Sequence, residues 1–409
     1  MKKKIVIIGT GFSALSFIKK INRKIFDVTV VSPRNHFLFT PLLPSTTVGT
    51  IEFRSIIEPV RNISGIIFHQ SYCTGVDAAN SKIECEDSDT GKKYALGFDI
   101  LVIAVGEVTN TYGIKGVNEN ALFLKELSDA RKIRTKVVDC FENASLPGIS
   151  HQERKDFLRF AVCGGGPTGV EFAAELHDFI EEDVKRKYRD LAAYVEIILI
   201  EAGNSILASF DRKLSEYTTK IFKRQNIVIK TNSPVKEVDE KLIYLNNGTS
   251  FKYGLLVWAA GNTSTNLVRN VGFNLDRRGK ILTDSYFRVR SGNKINENVF
   301  AIGDCAAIEG YEIPATAQAA QKTGVFLAGY LNRNFYSERP FNFKNLGMLA
   351  YIGKRKALAD LPQYKGTGFG AFLFWRSAYL TRLVSFKNKV LVIFDWIKTF
   401  VSGRDVSNF

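Results

Sequence analysis

Two glycine clusters carry the clearest chemistry in this sequence. The first, Gly9-Thr10-Gly11-Phe12-Ser13-Ala14, follows the apolar run Ile5 to Ile8 and precedes Leu15-Ser16-Phe17-Ile18 at helical spacing. The second, Gly164-Gly165-Gly166-Pro167-Thr168-Gly169, follows Phe160-Ala161-Val162-Cys163 and opens onto Val170-Glu171-Phe172-Ala173-Ala174-Glu175-Leu176. A continuous apolar run is how a strand buried on both faces reads. A glycine turn between such a strand and a helix presents free amides, and the positive end of the helix dipole, to a pyrophosphate. Gly9 permits the tight turn, Gly11 lets the backbone approach the phosphates, and Ala14 stands where the helix packs closely on the strand. One such loop is a weak signal. Two of them, about 155 residues apart and each in strand–turn–helix context, predict two bound dinucleotides, a flavin and a nicotinamide.

The next candidates are polar groups at strand ends. A second strand, Phe26 to Val31, ends at Ser32, where a ribose-binding acid is expected, so that contact would be a hydroxyl. The strand Val195 to Ile200 ends in Glu201. An acid there accepts both ribose hydroxyls of NAD(H) and repels the 2′-phosphate of NADP(H). Two further apolar strands end in small-residue turns, at Ala104-Val105-Gly106 and Ala259-Ala260-Gly261, which let the chain pass a bound dinucleotide without obstruction. Asn298 to Ala306 places Asp304 after a buried strand and at the start of a helix, as either an N-cap or an acceptor for a flavin ribityl chain.

The elements that must hold these groups define an α/β fold with two Rossmann-like dinucleotide-binding domains and a C-terminal amphipathic membrane-binding segment. The expected ranges are 1–156 and 271–338 for a discontinuous flavin domain, 157–270 for the nicotinamide domain inserted into it, and 339–409 for the segment. The length of 409 residues suits two to three domains. The five cysteines (Cys73, Cys85, Cys140, Cys163 and Cys305) form no CxxC or CxxxxC pair, which argues against a dithiol redox centre or a disulfide framework. The four histidines form no metal-ligand cluster, so no metal site is expected. No uncharged run reaches 18 residues, and Met1-Lys2-Lys3-Lys4 leads directly into a strand, so neither a membrane span nor a signal peptide is expected.

The net charge of +15 is unevenly placed. From Phe341 to Phe409 there are 11 Lys and Arg against 3 Asp and Glu, together with 14 of the 49 aromatic residues. Val390, Ile393, Phe394, Ile397 and Val401 share one helical face, with Lys389 and Lys398 outside it. Phe372, Trp375, Tyr379, Leu380 and Leu383 form a second stripe flanked by Arg376 and Arg382. Cations beside an apolar, aromatic-edged stripe predict a helix lying on an anionic membrane surface; a homodimer interface is the alternative use of one stripe. With no recognised binding module beside the charge, no nucleic-acid partner is expected.

With these segments in view, the sequence closely resembles the type II NADH dehydrogenases, the single-subunit NADH:quinone oxidoreductases of bacteria and of plant, fungal and protist mitochondria. The resemblance covers nearly the whole chain. Its most specific parts are Ser32-Pro33-Arg34-Asn35 with Phe39-Thr40-Pro41-Leu42-Leu43-Pro44, the second glycine loop with Glu171 and Glu175, Ala317-Gln318-Ala319-Ala320-Gln321, Tyr351-Ile352-Gly353, Trp375-Arg376 and Asp395-Trp396. Ser32 in place of an acid is similar to the plant and fungal branch. The resemblance implies non-covalent FAD on Gly9, Thr10, Gly11, Phe12 and Ala14, with Ser32, Arg34, Gly106, Ala317 and Gln318 in the same set. It implies Thr40, Pro41 and Leu42 near the isoalloxazine and Asp304 on the ribityl chain. NADH would be held by Gly164, Gly166, Pro167, Thr168, Gly169, Glu201 and Gly261. Glu171, Gln318 and Gln321 would be the catalytic set, with Gln318, Gln321 and Tyr351 bordering a membrane quinone. The plainer reading of Glu171 is a first-turn acid complementing its helix dipole, and of the two glutamines a packed polar helix face. The implied location is peripheral, on a mitochondrial-type inner membrane or on the cytoplasmic face of a bacterial plasma membrane. Two other chemistries share such a fold: sulfide:quinone oxidoreduction, which needs cysteines facing the flavin, and NADH sensing of the apoptosis-inducing-factor kind. No acidic EF-hand loop is present, so calcium control is not expected.

Overall fold

A computed structural model describes residues 2–337 and 339–407. The chain divides into two compact units, one of Met1–Leu38, Ile57–Val108 and Asn262–Asn345, the other of Phe39–Ile56, Thr109–Gly261 and Leu346–Phe409. These ranges differ from those expected above. Phe39–Ile56 and the helix Leu127–Ser145 group with the nicotinamide-loop residues, and so does the C-terminal segment. The cause lies in side-chain partners far apart in sequence, given below for Ser55 and Thr50.

The first unit is built on an eight-stranded sheet. From one edge the strands are Ala306–Ile308, Ile281–Thr283, Arg288–Ser291, Lys294–Ala301, Ile100–Ile103, Lys3–Ile8, Phe26–Val31 and Ile67–His69. The strands from Lys294–Ala301 to Ile67–His69 run parallel, with Ile5 opposite both Val28 and Ile100. Ile5 to Ile8 and Ile100 to Ile103 are buried throughout, as expected for strands covered on both faces. The helix Phe12–Lys20 packs on the helix Ala317–Asn332 at backbone distance. A Cβ on Gly324 would stand 2.1 Å from the Ser13 carbonyl oxygen, so only glycine fits there.

One local expectation is corrected here. Asp304 does not start a helix: it sits in a 3-10 turn, Gly303–Cys305, between the strands Lys294–Ala301 and Ala306–Ile308. Gly303, at φ +76°, turns the chain so that Ala306–Ile308 pairs with Ile281–Thr283, and the helix begins only at Ala317.

The second unit holds a five-stranded parallel sheet in the order Leu122–Phe123, Leu255–Trp258, Arg159–Cys163, Glu196–Ile200 and Ile227–Lys230. Its C-terminal segment forms an antiparallel sheet (Met348–Tyr351, Ala357–Leu361, Tyr364–Thr367) and two helices, Gly368–Arg382 and Phe386–Ser402. The last helix turns a mixed face inward, with Asn388 and Asp395 buried beside Val392 and Trp396. Asp395 accepts from the Ser55 hydroxyl (2.5 Å) and the Glu52 amide (3.0 Å), and the Asn388 amide donates to the Ser55 carbonyl (2.9 Å). Its outer face carries the first predicted stripe, with Val390, Ile393, Phe394, Ile397 and Val401 all exposed, joined by Phe386 and Phe400. The second predicted stripe is corrected: Phe372, Trp375 and Leu383 are buried in the unit, where Trp375 and Phe372 pack on Tyr351. Aromatic spacing of three and four residues serves a core as well as a membrane face. Among the described residues no helix is long and apolar enough to cross a membrane.

Candidate active site

In the first unit, Gly9 takes φ +111°, and a Cβ on it would lie 2.3 Å from the Ala104 carbonyl oxygen. The turn therefore presses on the neighbouring strand end. Gly11 and Gly106 face open space. The helix that follows starts from Gly11 without a side-chain cap, and the equivalent helix Pro167–Phe179 in the second unit starts from Gly166, also uncapped. Uncapped helix amides beside bare glycine backbone are the cradle a diphosphate fills, so both loops fit a dinucleotide. Around the first loop, the Thr10 and Ser32 hydroxyls pair (3.1 Å), and the Arg34 amide donates to Ser32 Oγ (3.2 Å). Ser32 is buried and so first of all shapes the loop. Phe12 packs edge-on against Phe37, and Ala14 is buried against the core. Asp304, Ala317, Gln318 and Gln321 fall in this same unit, the two glutamines in the opening turns of a helix capped by the Thr316 hydroxyl.

In the second unit, Gly164 is at φ +114°, and a Cβ on Gly169 would lie 2.0 Å from the Gly164 carbonyl oxygen, which fixes how closely helix and loop meet. Glu201 closes on this loop. Its Oε2 accepts the Gly165 amide and its Oε1 the Gly203 amide, both at 2.6 Å. The carboxylate thus lies at the carboxyl edge of the parallel sheet, where dinucleotide riboses bind. Gly261, at φ +71°, follows the strand Leu255–Trp258 at that same edge. Glu201→Gln keeps one of the two acceptors and loses the charge. The ratio of kcat/KM for NADPH over NADH is expected to rise about tenfold, as removing a like charge near the 2′-phosphate allows; an unchanged ratio would remove Glu201 from cofactor selection. Thr40, Pro41 and Leu42 form a 3-10 turn in this unit.

Glu171 is not a first-turn acid. Its helix begins at Pro167, which puts Glu171 in the second turn, where it is only 6 % exposed. Its Oε1 accepts the Tyr351 amide at 3.1 Å. Burial pushes the carboxyl up to about 8; the Tyr351 amide and the Trp375 ring N–H oppose this, and the Glu175 carboxylate adds to it. Burial thus favours the protonated carboxyl at Glu171. The Tyr351 hydroxyl donates to Asp178, burial and then that carboxylate hold its own proton firmly, and the Lys354 amide donates to both Asp178 oxygens (2.9 and 3.0 Å). The structure thus brings Glu171 and Tyr351 together, while Gln318 and Gln321 stand in the other unit with Asp304.

Glu175, Asp178 and Arg404 were not singled out as site residues by sequence reasoning. The signal for the two acids was present: Glu171, Glu175 and Asp178 repeat at four and three residues on a helix whose other buried side chains are Val170, Phe172, Ala173, Ala174, Leu176, His177 and Phe179. All five cysteines are free. Burial raises Cys73 and Cys140 to about 12 and Cys85 to about 11, so none of these three offers a thiolate near neutral pH. Among the described residues no group of three His, Cys, Asp or Glu could hold a metal ion.

Two glycine-loop units without a cysteine pair define a two-dinucleotide flavoprotein. Residues 3–324 match the family described as pyridine nucleotide-disulphide oxidoreductase, whose members use FAD, and residues 345–405 match the NDH2 C-terminal domain. The chain is 44% identical to a probable NADH dehydrogenase of Dictyostelium discoideum, over 100% of this chain and 91% of the relative. It is 40% identical to the mitochondrial external NADH-ubiquinone oxidoreductase 2 of Saccharomyces cerevisiae, over 99% and 82%. Its structure is similar to that of NDH2 from Plasmodium falciparum in complex with NADH, at a TM-score of 0.94 and 31% identity, covering 100% of both chains. The chain belongs to the type II NADH dehydrogenases: it is an FAD-dependent NADH:quinone oxidoreductase.

Proposed function

We propose that the chain catalyses NADH + H⁺ + quinone → NAD⁺ + quinol with Glu171 as the proton store. Bound FAD would supply the chemistry that separates the two halves, accepting a hydride and giving up two electrons and one proton. The Gly164–Gly169 loop and Glu201 orient NADH by its diphosphate and ribose. The uncapped Gly11 helix, with Thr10, Arg34, Gly106 and Asp304, holds FAD; the family resemblance adds Phe12, Thr40, Pro41, Leu42, Ala317 and Gln318. Glu171 gives its proton to the quinone as the electrons arrive and regains one from solvent. Tyr351 fixes the Glu171 carboxyl through its backbone amide, and Gln318 and Gln321 are proposed to border the quinone. The observation that supports the reading is Glu171, buried with its Oε1 on the Tyr351 amide and its carboxyl pushed up to about 8 by burial, on the helix that opens from the second glycine loop. In anaerobic stopped flow, NADH should bleach the flavin absorbance and added quinone restore it, with proton uptake. Bleaching without restoration would overturn the quinone half of the reading. Sulfide bleaching the flavin faster than NADH would favour sulfide:quinone oxidoreduction, and a long-lived charge-transfer complex without turnover would favour NADH sensing.

The quinone is proposed to arrive from an anionic membrane surface that receives the exposed face of the last helix, with Phe369, Leu373 and Phe374 of the preceding helix. With the second stripe buried, a homodimer through this segment would compete with the membrane for the outward apolar face. The mitochondrial names of the relatives favour a mitochondrial-type inner membrane over a bacterial plasma membrane.

A further inference from the structure

Arg404 lies beyond the last helix, five residues from the chain end, yet it is only 5 % exposed. Its guanidinium reaches Glu182 (2.8 Å), Asp183 (2.9 Å) and Glu175 (4.0 Å), and its amide donates to Asp183 Oδ1 (3.0 Å). Lys187 Nζ donates to its carbonyl (2.7 Å). The lodging is built from both sides. Residues Ile180–Val184 form a π-turn, a device that recurs at functional sites, and Glu182 and Asp183 are both in it. Gly403 is at φ +76°, and a Cβ there would stand 2.3 Å from Asp183 Oδ1, so the approach needs glycine.

The hydroxyl of Thr50 gives this arrangement a direction. Thr50 Oγ1 accepts from Arg404 Nε (2.9 Å) and so turns its own proton to Glu175 Oε2 (2.6 Å). Ser45 donates to the other oxygen, Glu175 Oε1 (2.7 Å). Both Glu175 oxygens are therefore occupied as acceptors, one through a hydroxyl that Arg404 has oriented. Glu175 lies one helical turn from Glu171, on the same face.

Resting on the proposed role of Glu171, we propose that Arg404 is a positioning residue of the reaction: through Thr50 it draws Glu175 towards its anionic, accepting form, so that of the two acids Glu171 is the one that holds a proton for the quinone. Groups from every packed element bear on the pair: Tyr351 and Tyr379 face Glu171, while Asp178, Arg376, Tyr351 and Arg404 face Glu175. Burial raises the Glu175 carboxyl above the ordinary carboxylate range, and Arg404, followed by the Thr50 and Ser45 hydroxyls, holds that rise back. Burial likewise works against the charge of Arg404, but Glu175 and Glu182 more than offset it.

The test compares wild type, Arg404→Gln, Glu175→Gln and the double variant, by the infrared band of protonated carboxyls and by the pH profile of flavin reoxidation by quinone. Arg404→Gln should add one protonated carboxyl at pH 7, absent from the double variant. With Glu175 neutral, Glu171 loses its repelling neighbour and releases its proton more readily. The alkaline limb of the profile should then move about one pH unit lower in each single variant and no further in the double. No added carboxyl, a uniform rate loss with an unmoved limb, or additive shifts would each overturn the proposal. Should Arg404→Gln fail to fold, Arg404→Lys carries the test: a partial displacement is expected, and an unmoved limb overturns the proposal. Flavin bleaching by NADH and its reversal by quinone in wild type serve as the reference, and their absence would count against the proposed function rather than against Arg404.

Discussion

Glu171→Gln is expected to slow reoxidation of the flavin by quinone about 100-fold, the lower range for losing a positioned general acid. Bleaching by NADH should stay within a few-fold of wild type. The glutamine carbonyl still accepts the Tyr351 amide, so the helix and the strand Met348–Tyr351 keep their contact. The pH profile separates a chemical role from a packing role. Glu171 is protonated below about 8 because its buried carboxylate form is disfavoured, so the wild-type quinone step should be level up to that pH and fall above it. The variant has no proton to lose there and should be flat. A limb near pH 8 that persists in Glu171→Gln would assign the titration to another group.

The second large effect concerns the outer face of the last helix. Phe394 and Ile397 are 61% and 57% exposed, so replacing both with serine should leave the melting temperature nearly unchanged. Burying two such side chains in a bilayer is worth about 3–6 kcal/mol, so affinity for anionic vesicles should fall about 100-fold or more. Wild-type binding should weaken with added salt, because the cations of residues 341–409 act through a screened field. Unchanged vesicle binding by the double variant would rule out this face as the membrane contact. Truncation before the segment is a poorer test. It would remove Tyr351, Asp395 and Arg404, which hold Glu171, Ser55 and Glu182 inside the second unit.

What was legible in the sequence follows from locality. The two glycine loops were readable because strand, turn and helix are contiguous: Gly9 and Gly164 answer steric demands from neighbouring strand ends and Gly169 one made within the loop, while Gly11 leaves the backbone bare to open space. The stripe from Val390 to Val401 was readable because helical periodicity names a face. Which way that face points is set elsewhere, by Ser55 and Glu52 more than 330 residues earlier. The same ambiguity misdirected the second stripe, where Phe372 and Trp375 find their partner Tyr351 in a different element. Asp304 followed a buried strand, and only the pairing of Ala306–Ile308 with Ile281–Thr283 showed that no helix starts there. Arg404 was invisible for the strongest reason: its acceptors Glu182 and Asp183 lie 222 and 221 positions away.

The way the chain threads its two units bears on its synthesis. It passes from one unit to the other after Leu38, Ile56, Val108, Gly261 and Asn345, so neither unit corresponds to a continuous gene segment. Emerging from the ribosome, the first unit has its last residues at Asn345, whereas the second still lacks its tail. At translation rates of 5–20 residues per second the remaining 64 residues take about 3–13 s, long against the folding time of many small domains. During that interval Glu175, Asp178 and Asp183 have neither Arg404 nor Tyr351 as a partner, or Tyr351 alone. The nascent protein therefore passes through a stage in which the carboxylates of Glu175 and Asp183 lack the guanidinium that pairs with them in the finished chain. Capture of that stage by a chaperone, or its loss to a protease, would depend on how promptly the final sixty residues arrive.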